Sequence, residues 1–278
     1  MPYGKRGIVV RITYLFVAAL FFIIKKISRT PQSGTIVLCY HGVKEVEQEG
    51  FARQMRMVGK RAIAIKDINN RQEKAHHDQT ICITFDDAFA NLISNVLPTI
   101  NELKIPITIF IATKSIGSFP IWLDEKKHPD SCEMVMSVPQ ILALKKNPLV
   151  TFGSHTSSHP RLSDLPNNDI REELRSSRNT LKEILNDPIE NLALPHGAFN
   201  QEVLQIASEE GYKNIFTLEP VPYTSETDST YPTIGRFSMS PMAWPIEFFF
   251  TLKGAYSWLD KWRSYIQTCR SFIQRSIS

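Results

Sequence analysis

From Thr35 onward, short runs of β-branched and large apolar residues alternate with amphipathic segments, and that alternation restricts the fold more than any other feature. Thr35 to Tyr40 (TIVLCY), Thr80 to Phe85 (TICITF) and Pro106 to Ala112 (PITIFIA) are apolar nearly throughout, as strands covered on both faces must be. Such strands separated by helical segments imply an α/β domain with a largely parallel sheet. Phe89 to Leu103 reads as a helix and Leu149 to Phe152 as a further short strand. Asp169 and Glu172 have capping-box spacing, and Ile170, Leu174, Leu181, Ile184 and Leu185 fall on one helical face that ends near Asn186, before Pro188. A short strand, NLAL, breaks at Pro195-His196-Gly197. Gln201 to Gly211 is a helix stopped by glycine, and Ile215 to Leu218 another strand. The aromatic tail from Pro241 (Trp244, Phe248, Phe249, Phe250, Tyr256, Trp258, Trp262) reads as a packed terminal helix.

The first 30 residues are of a different kind. Ile12 to Ile24 carries no charge, and reaching back to Gly7 gives 18 residues interrupted only by Arg11. A helix needs roughly 20 apolar residues to cross hydrocarbon, and an arginine near one end can extend to the headgroups. Lys25 and Lys26 stand where a small-residue cleavage site would follow a secretory signal, so a single-span membrane anchor is expected, with an in-plane amphipathic helix as the remaining reading. Basic residues on both flanks give no preferred orientation. Residues 1–30 hold six Lys/Arg and no acid, which leaves 26 basic against 28 acidic residues in the body, 31–278. The leader therefore suits anionic lipid, and the body lacks the concentrated basic surface that a nucleic-acid partner requires. Cys39, Cys82, Cys132 and Cys269 follow no CxxC spacing and read as buried free thiols.

Four polar clusters punctuate the strand ends. Asp86 and Asp87 follow TICITF, where consecutive side chains diverge, so one can bind a metal while the other handles protons; a helix N-cap pair is the plainer reading. His155 and His159, in GSHTSSHPRL, are spaced to close on one divalent ion if an acid from another strand end joins them, or are surface histidines. Pro195, His196 and Gly197 form a turn whose backbone N–H groups could serve an oxyanion. His41, after Tyr40, is either functional or a hydrogen-bonded core histidine. Trp122 and Asp124, in PIWLDEKK, could line a sugar groove or pack on their own loop.

Together these segments resemble the polysaccharide deacetylase family, also called the NodB-homology domain or carbohydrate esterase family 4. TFDDA (Thr84 to Ala88) is similar to its first motif, SHTSSH (Ser154 to His159) to its second and LPHGAF (Leu194 to Phe199) to a variant of its third, over about Leu38 to Arg236. The resemblance implies a distorted (β/α) barrel of about seven strands with its site at the strands' C-terminal ends. It implies a divalent metal, zinc or a similar ion, held by Asp87, His155 and His159, with Asp86 as general base and the His196 N–H at the oxyanion. The chain departs from the commonest pattern: Ala193 stands where an arginine is usual, His196 where an aromatic is usual, and no histidine follows His196. A branch acting on exopolysaccharides such as poly-N-acetylglucosamine carries its acid histidine in an early Tyr-His motif, which Tyr40-His41 matches. His41 is therefore expected as the acid, and Arg236, in TIGRF, could replace the missing arginine by pairing with Asp86. The activity implied is N-deacetylation of an amino sugar in an envelope glycan, exopolysaccharide or lipid-linked precursor at a bacterial inner membrane. Deformylation of a lipid-linked amino sugar, or glycan binding without turnover, are the alternatives.

Overall fold

In the computed structural model, which describes residues 7–28, 34–68, 79–123, 128, 130–224, 231 and 233–259, each strand pairs in parallel with its neighbour. The first described element is helix α1 (Ile8–Ile27), long and apolar enough to cross a membrane. Strand β1 (Thr35–Tyr40) is followed by α2 (Gln48–Val58) and β2 (Thr80–Phe85). Next come α3 (Asn91–Asn95), α4 (Leu97–Leu103), β3 (Ile107–Ile111), α5 (Val138–Lys145) and β4 (Val150–Ser154). The long α6 (Asn167–Leu185) leads to β5 (Asn191–Ala193), α7 (Gln201–Glu209), β6 (Asn214–Phe216), β7 (Thr233–Ile234), β8 (Phe237–Ser238) and α8 (Pro245–Leu252).

The strands are ordered β7-β6-β5-β4-β3-β2-β1-β8. Because only Gly235 and Arg236 separate β7 from β8, the chain steps from one edge of the sheet to the other, pairing with β6 before the step and with β1 after it. Eight strand segments thus form one curled parallel α/β sheet whose two edges are joined through Gly235 and Arg236. The sheet divides two apolar clusters. The larger lies beneath the helices and takes Ile36, Leu38, Tyr40, Ile83 and Phe85 from β1 and β2. The smaller takes Val37, Cys82, Phe110, Ala193, Phe216 and Ile234 from six strands, joined by Ile63, Ile65 and Ile68. This period-2 division explains why both faces of each strand are apolar. Gly153 is required in β4, since a Cβ there would lie 2.6 Å from the Phe110 ring.

Several local expectations change. The Asp169–Glu172 capping box does not form: α6 starts earlier, at Asn167 behind Pro166, without a side-chain cap, and Asp169 lies in its first turn. Proline's fixed φ sets that start. The helix expected from Phe89 begins at Asn91 and is divided at Val96, because Pro98, in the first turn of α4, cannot donate to a preceding turn. Phe89 instead bridges to Val135. Helix α7 ends at Glu209, and Gly211 (φ +87°) turns the chain after it. Strand β6 is Asn214–Phe216 rather than 215–218. Asn186 ends α6 in the left-handed region, at the position the sequence marks. Cys39 and Cys82 are buried, but Cys132 is exposed, since it lies in a loop and not in a strand. Cys269, Trp262 and Asp124 lie outside the described residues.

Candidate active site

All strands point the same way, so the residues following β1, β2, β4, β5 and β7 share one end of the barrel. His41, Asp86, Asp87, His155, the Pro195–Gly197 turn and Arg236 stand at these strand ends. Seven described non-glycine residues have positive φ. Lys104 and Asn186 are helix C-caps, while Asp87, Ala88, Thr156, His159 and His196 all belong to these strand-end loops. A left-handed residue with a Cβ costs roughly 1–2 kcal/mol, and such positions concentrate where a fold holds side chains for function.

At Asp87 (φ 69°) the backbone turns sharply, so the two aspartates meet different partners. Asp86 is buried and bound by Arg236 through two hydrogen bonds, Nη1 to Oδ1 at 2.6 Å and Nη2 to Oδ2 at 2.9 Å. The same guanidinium donates to Thr84 Oγ1 and, through Nε, to the Thr217 carbonyl, both at 3.2 Å, and its charge lies over Phe110 at 5.4 Å. Cys39 Sγ adds a third donor to Asp86, 3.3 Å from Oδ2; burial raises that thiol's pKa and keeps it protonated. Burial alone would raise the Asp86 pKa, but the Arg236 charge and hydrogen bonds, together with His155 and His41, outweigh it and hold the carboxylate well below its usual range.

Asp87 faces the histidines. Its Oδ1 lies 3.7 Å from His155 Nε2 and 3.5 Å from His159 Nε2, and one ligand atom from each of the three residues falls within 4.8 Å of the others. Tetrahedral ligands at zinc bond lengths of about 2.0–2.1 Å stand roughly 3.4 Å apart, so the spacing suits one cation. His155 donates from Nδ1 to the Ala193 carbonyl at 2.8 Å, which directs its Nε2 lone pair toward Asp87. Burial lowers the pKa of His155 to about 4 and, with the neighbouring His155 and His196, that of His159 to about 2, so both imidazoles are neutral near pH 7. Burial, then the adjacent Asp86 charge, raises the Asp87 pKa. Asp87 Oδ1 is buried and has no hydrogen-bond partner among the described residues. An uncompensated carboxylate oxygen between two neutral imidazoles is the environment a bound divalent cation relieves, and the residues present fit that role.

The second ligand loop has a support that no sequence pattern singles out. Glu173, on α6, accepts hydrogen bonds from the backbone N–H groups of Ser157 (3.0 Å) and Ser158 (2.8 Å) and from the Ser158 hydroxyl (2.5 Å). Thr156 Oγ1 accepts from the His159 N–H at 3.1 Å. Only the spacing from the loop into the following helix could have pointed to Glu173, and no motif marks it.

His196 adopts φ 60°, and the hydrogen bonds of its turn run from Gly197 N–H to Leu194 O (3.0 Å) and from Ala198 N–H to Pro195 O (3.2 Å), neither using the His196 N–H. Its ring meets His159 edge-on at 4.8 Å. Trp122 does not simply pack on its own loop; it stacks on His159, with ring centroids 4.6 Å apart and planes at 19°. His41 is half-buried, and burial lowers its pKa against the opposing pull of Asp86; the charges of Asp130 and His128, from the long loop before α5, also act on it.

A model described as polysaccharide deacetylase matches residues 73–215. The Bacillus subtilis (strain 168) protein YxkH, whose name places it among the polysaccharide deacetylases, is 26% identical over 149 residues, 54% of this chain and 48% of its own length. The chain thus spans about half the length of that curated relative. Among solved structures, IcaB from Ammonifex degensii superimposes with a TM-score of 0.64 at 23% identity, covering 79% of this chain and 97% of that one. Streptococcus pyogenes deacetylase PplD, solved with acetate, gives 0.64 at 19% identity over 80% of this chain and 99% of its own. At these identities the superpositions establish the barrel fold.

Proposed function

The chain belongs to the polysaccharide deacetylase family, and from that membership and the site geometry we propose that it is a metal-dependent hydrolase removing N-acetyl groups from an amino sugar of an envelope glycan, exopolysaccharide or lipid-linked precursor. The observation that carries the proposal is the convergence of Asp87, His155 and His159 beside a second carboxylate, Asp86, clamped by Arg236.

Asp87, His155 and His159 would hold the cation, zinc or a similar divalent ion. When bound, such an ion lowers the pKa of water toward neutrality and polarises a carbonyl oxygen. Asp86 is the general base. Arg236 keeps it ionised and fixes both oxygens, so that it takes a proton from the attacking water without reorienting; such a step supplies about 10²–10⁴-fold. The His196 N–H, which the turn does not use internally, donates to the developing oxyanion of the amide. His41 stands at the end of β1, within electrostatic reach of Asp86 and both histidines, and protonates the departing amine. Trp122, stacked on His159, offers an aromatic wall for the sugar ring. The enzyme works at a membrane, the bacterial inner membrane, attached through α1.

The test is acetate release from N-acetylhexosamine oligomers and from lipid-linked N-acetylated sugars, with and without chelator. Activity should vanish with the metal and return on its restoration. Asp86→Asn should retain bound metal and lose at least 100-fold in rate, whereas His155→Ala should lose the metal itself. Full activity in Asp86→Asn, or full activity under chelation, refutes the assignment.

A further inference from the structure

The N-terminal helix does not stand apart from the barrel. Arg11 makes two hydrogen bonds to Glu247 of α8, Nε to Oε1 at 3.0 Å and Nη2 to Oε2 at 2.5 Å, and its guanidinium lies 4.1 Å over the Trp244 ring. Tyr14 meets Trp258 at 5.5 Å, Ala18 is wholly buried, and Phe22 packs edge-on against Phe249 and Phe250. These positions recur at helical spacing, so one face of α1 is occupied by the barrel domain from Arg11 to Phe22. The opposite face is apolar and open: Ile8, Ile12, Phe16, Leu20, Ile23 and Ile27 are 49–76% exposed. Phe22 joins this stripe to Phe249 on α8, where Ile246 is also partly exposed. Soluble proteins rarely leave so many large apolar side chains open in one patch.

A lone spanning helix is surrounded by hydrocarbon, whereas this one carries the barrel and a part-buried Arg–Glu pair along one side. We infer that α1 lies in the plane of the bilayer, its Ile8–Ile27 stripe sunk into an anionic membrane surface while its other face stays docked on α8. Interfacial helices of this kind immerse an apolar face about 5–10 Å at the boundary of headgroups and acyl chains. The charge pattern matches: the first 30 residues carry six basic side chains and no acid, of which five remain once Arg11 is paired with Glu247, and Lys25 and Lys26 close the last turn. Each basic residue near an anionic surface adds roughly 1 kcal/mol. The inference rests on the membrane attachment proposed above and fixes its geometry.

The full chain should float with vesicles of phosphatidylcholine and phosphatidylglycerol, and far less with phosphatidylcholine alone. A fluorescent amino acid placed in turn at Ile12, Leu20 and Ile27 should be quenched by shallow spin-labelled lipids equally at all three sites. Phe16→Glu combined with Ile23→Glu should cut flotation at least tenfold while leaving circular dichroism and metal content unchanged. A depth profile passing through the bilayer midplane overturns the in-plane geometry and leaves attachment standing. Failure to float overturns attachment as well, and a doubling of the solution mass in that case assigns the stripe to a second copy of the chain.

Discussion

Two arginine–carboxylate pairs, built alike, occupy opposite roles in this protein. Arg236–Asp86 closes the centre of the barrel and Arg11–Glu247 ties α1 to its flank; each is two-pronged, each acid is almost wholly buried, and each guanidinium lies over aromatic rings. They differ in what surrounds them. Arg236 is fully buried and donates also to Thr84 and Thr217, whereas the Arg11 side chain keeps 19% of its surface in solvent. Taking both ions out of water costs several kcal/mol per ion unless every remaining donor is satisfied. The central pair meets that demand through the further bonds to Thr84 and Thr217, and in the proposed mechanism it holds the base still. The flanking pair serves attachment, and water shares its charge.

Breaking the central pair should have the largest effect. Arg236→Met leaves Asp86 buried without its cation and should cost about 3–5 kcal/mol of stability in urea unfolding, with acetate release falling at least tenfold; a variant of unchanged stability and rate would make the pair ornamental. Removing the metal exposes the next contrast. In the chelated protein His155 titrates near 4 when folded and near 6.5 when unfolded, so the unfolded chain binds the extra proton between those values. The His155 contribution is therefore full above about pH 6.5 and falls as pH drops toward 4, by on the order of 3 kcal/mol; His159 adds a loss of the same sign, and the urea midpoint against pH would record both. Excess metal should flatten that slope.

A smaller effect should follow from the loop support. Glu173→Ala removes three hydrogen bonds from the segment carrying His159 and should weaken metal affinity about 10–100-fold, with Glu173→Gln recovering part of the loss; competition with a chromogenic chelator measures it. The flanking pair should give the smallest change. Arg11→Gln should weaken α1 docking by about 1–2 kcal/mol, seen as faster tryptic cleavage at Lys25 and Lys26, with deacetylation of a soluble oligosaccharide unchanged. A collapse of activity in that variant would erase the distinction between the two pairs.

The strands and most helices were legible because apolar period and punctuation are local: β1 and β2 match the TIVLCY and TICITF runs residue for residue. Errors fell where a distant or backbone effect prevailed, as at Pro98, which divides a helix whose apolar pattern reads as continuous, and at Pro166, which starts α6 ahead of the Asp169 signal. The aspartates and histidines could be selected because they follow strands and motif spacing survives in one dimension. The Ala193 carbonyl behind His155, the stacking of the selected Trp122 on His159 and Glu173 under the loop could not, since each contact joins segments with no shared pattern.

By itself the sequence determined the alternation of buried strands and helices, the chemical types available at each strand end and the presence of one long apolar helix. Those properties depend on neighbouring residues alone. Only the tertiary structure decided that Arg236 meets Asp86 across 150 positions, that three ligand atoms converge and that α1 turns one face to the barrel. Closure of the sheet through Gly235 and Arg236 sets those distances, and no local spacing encodes it.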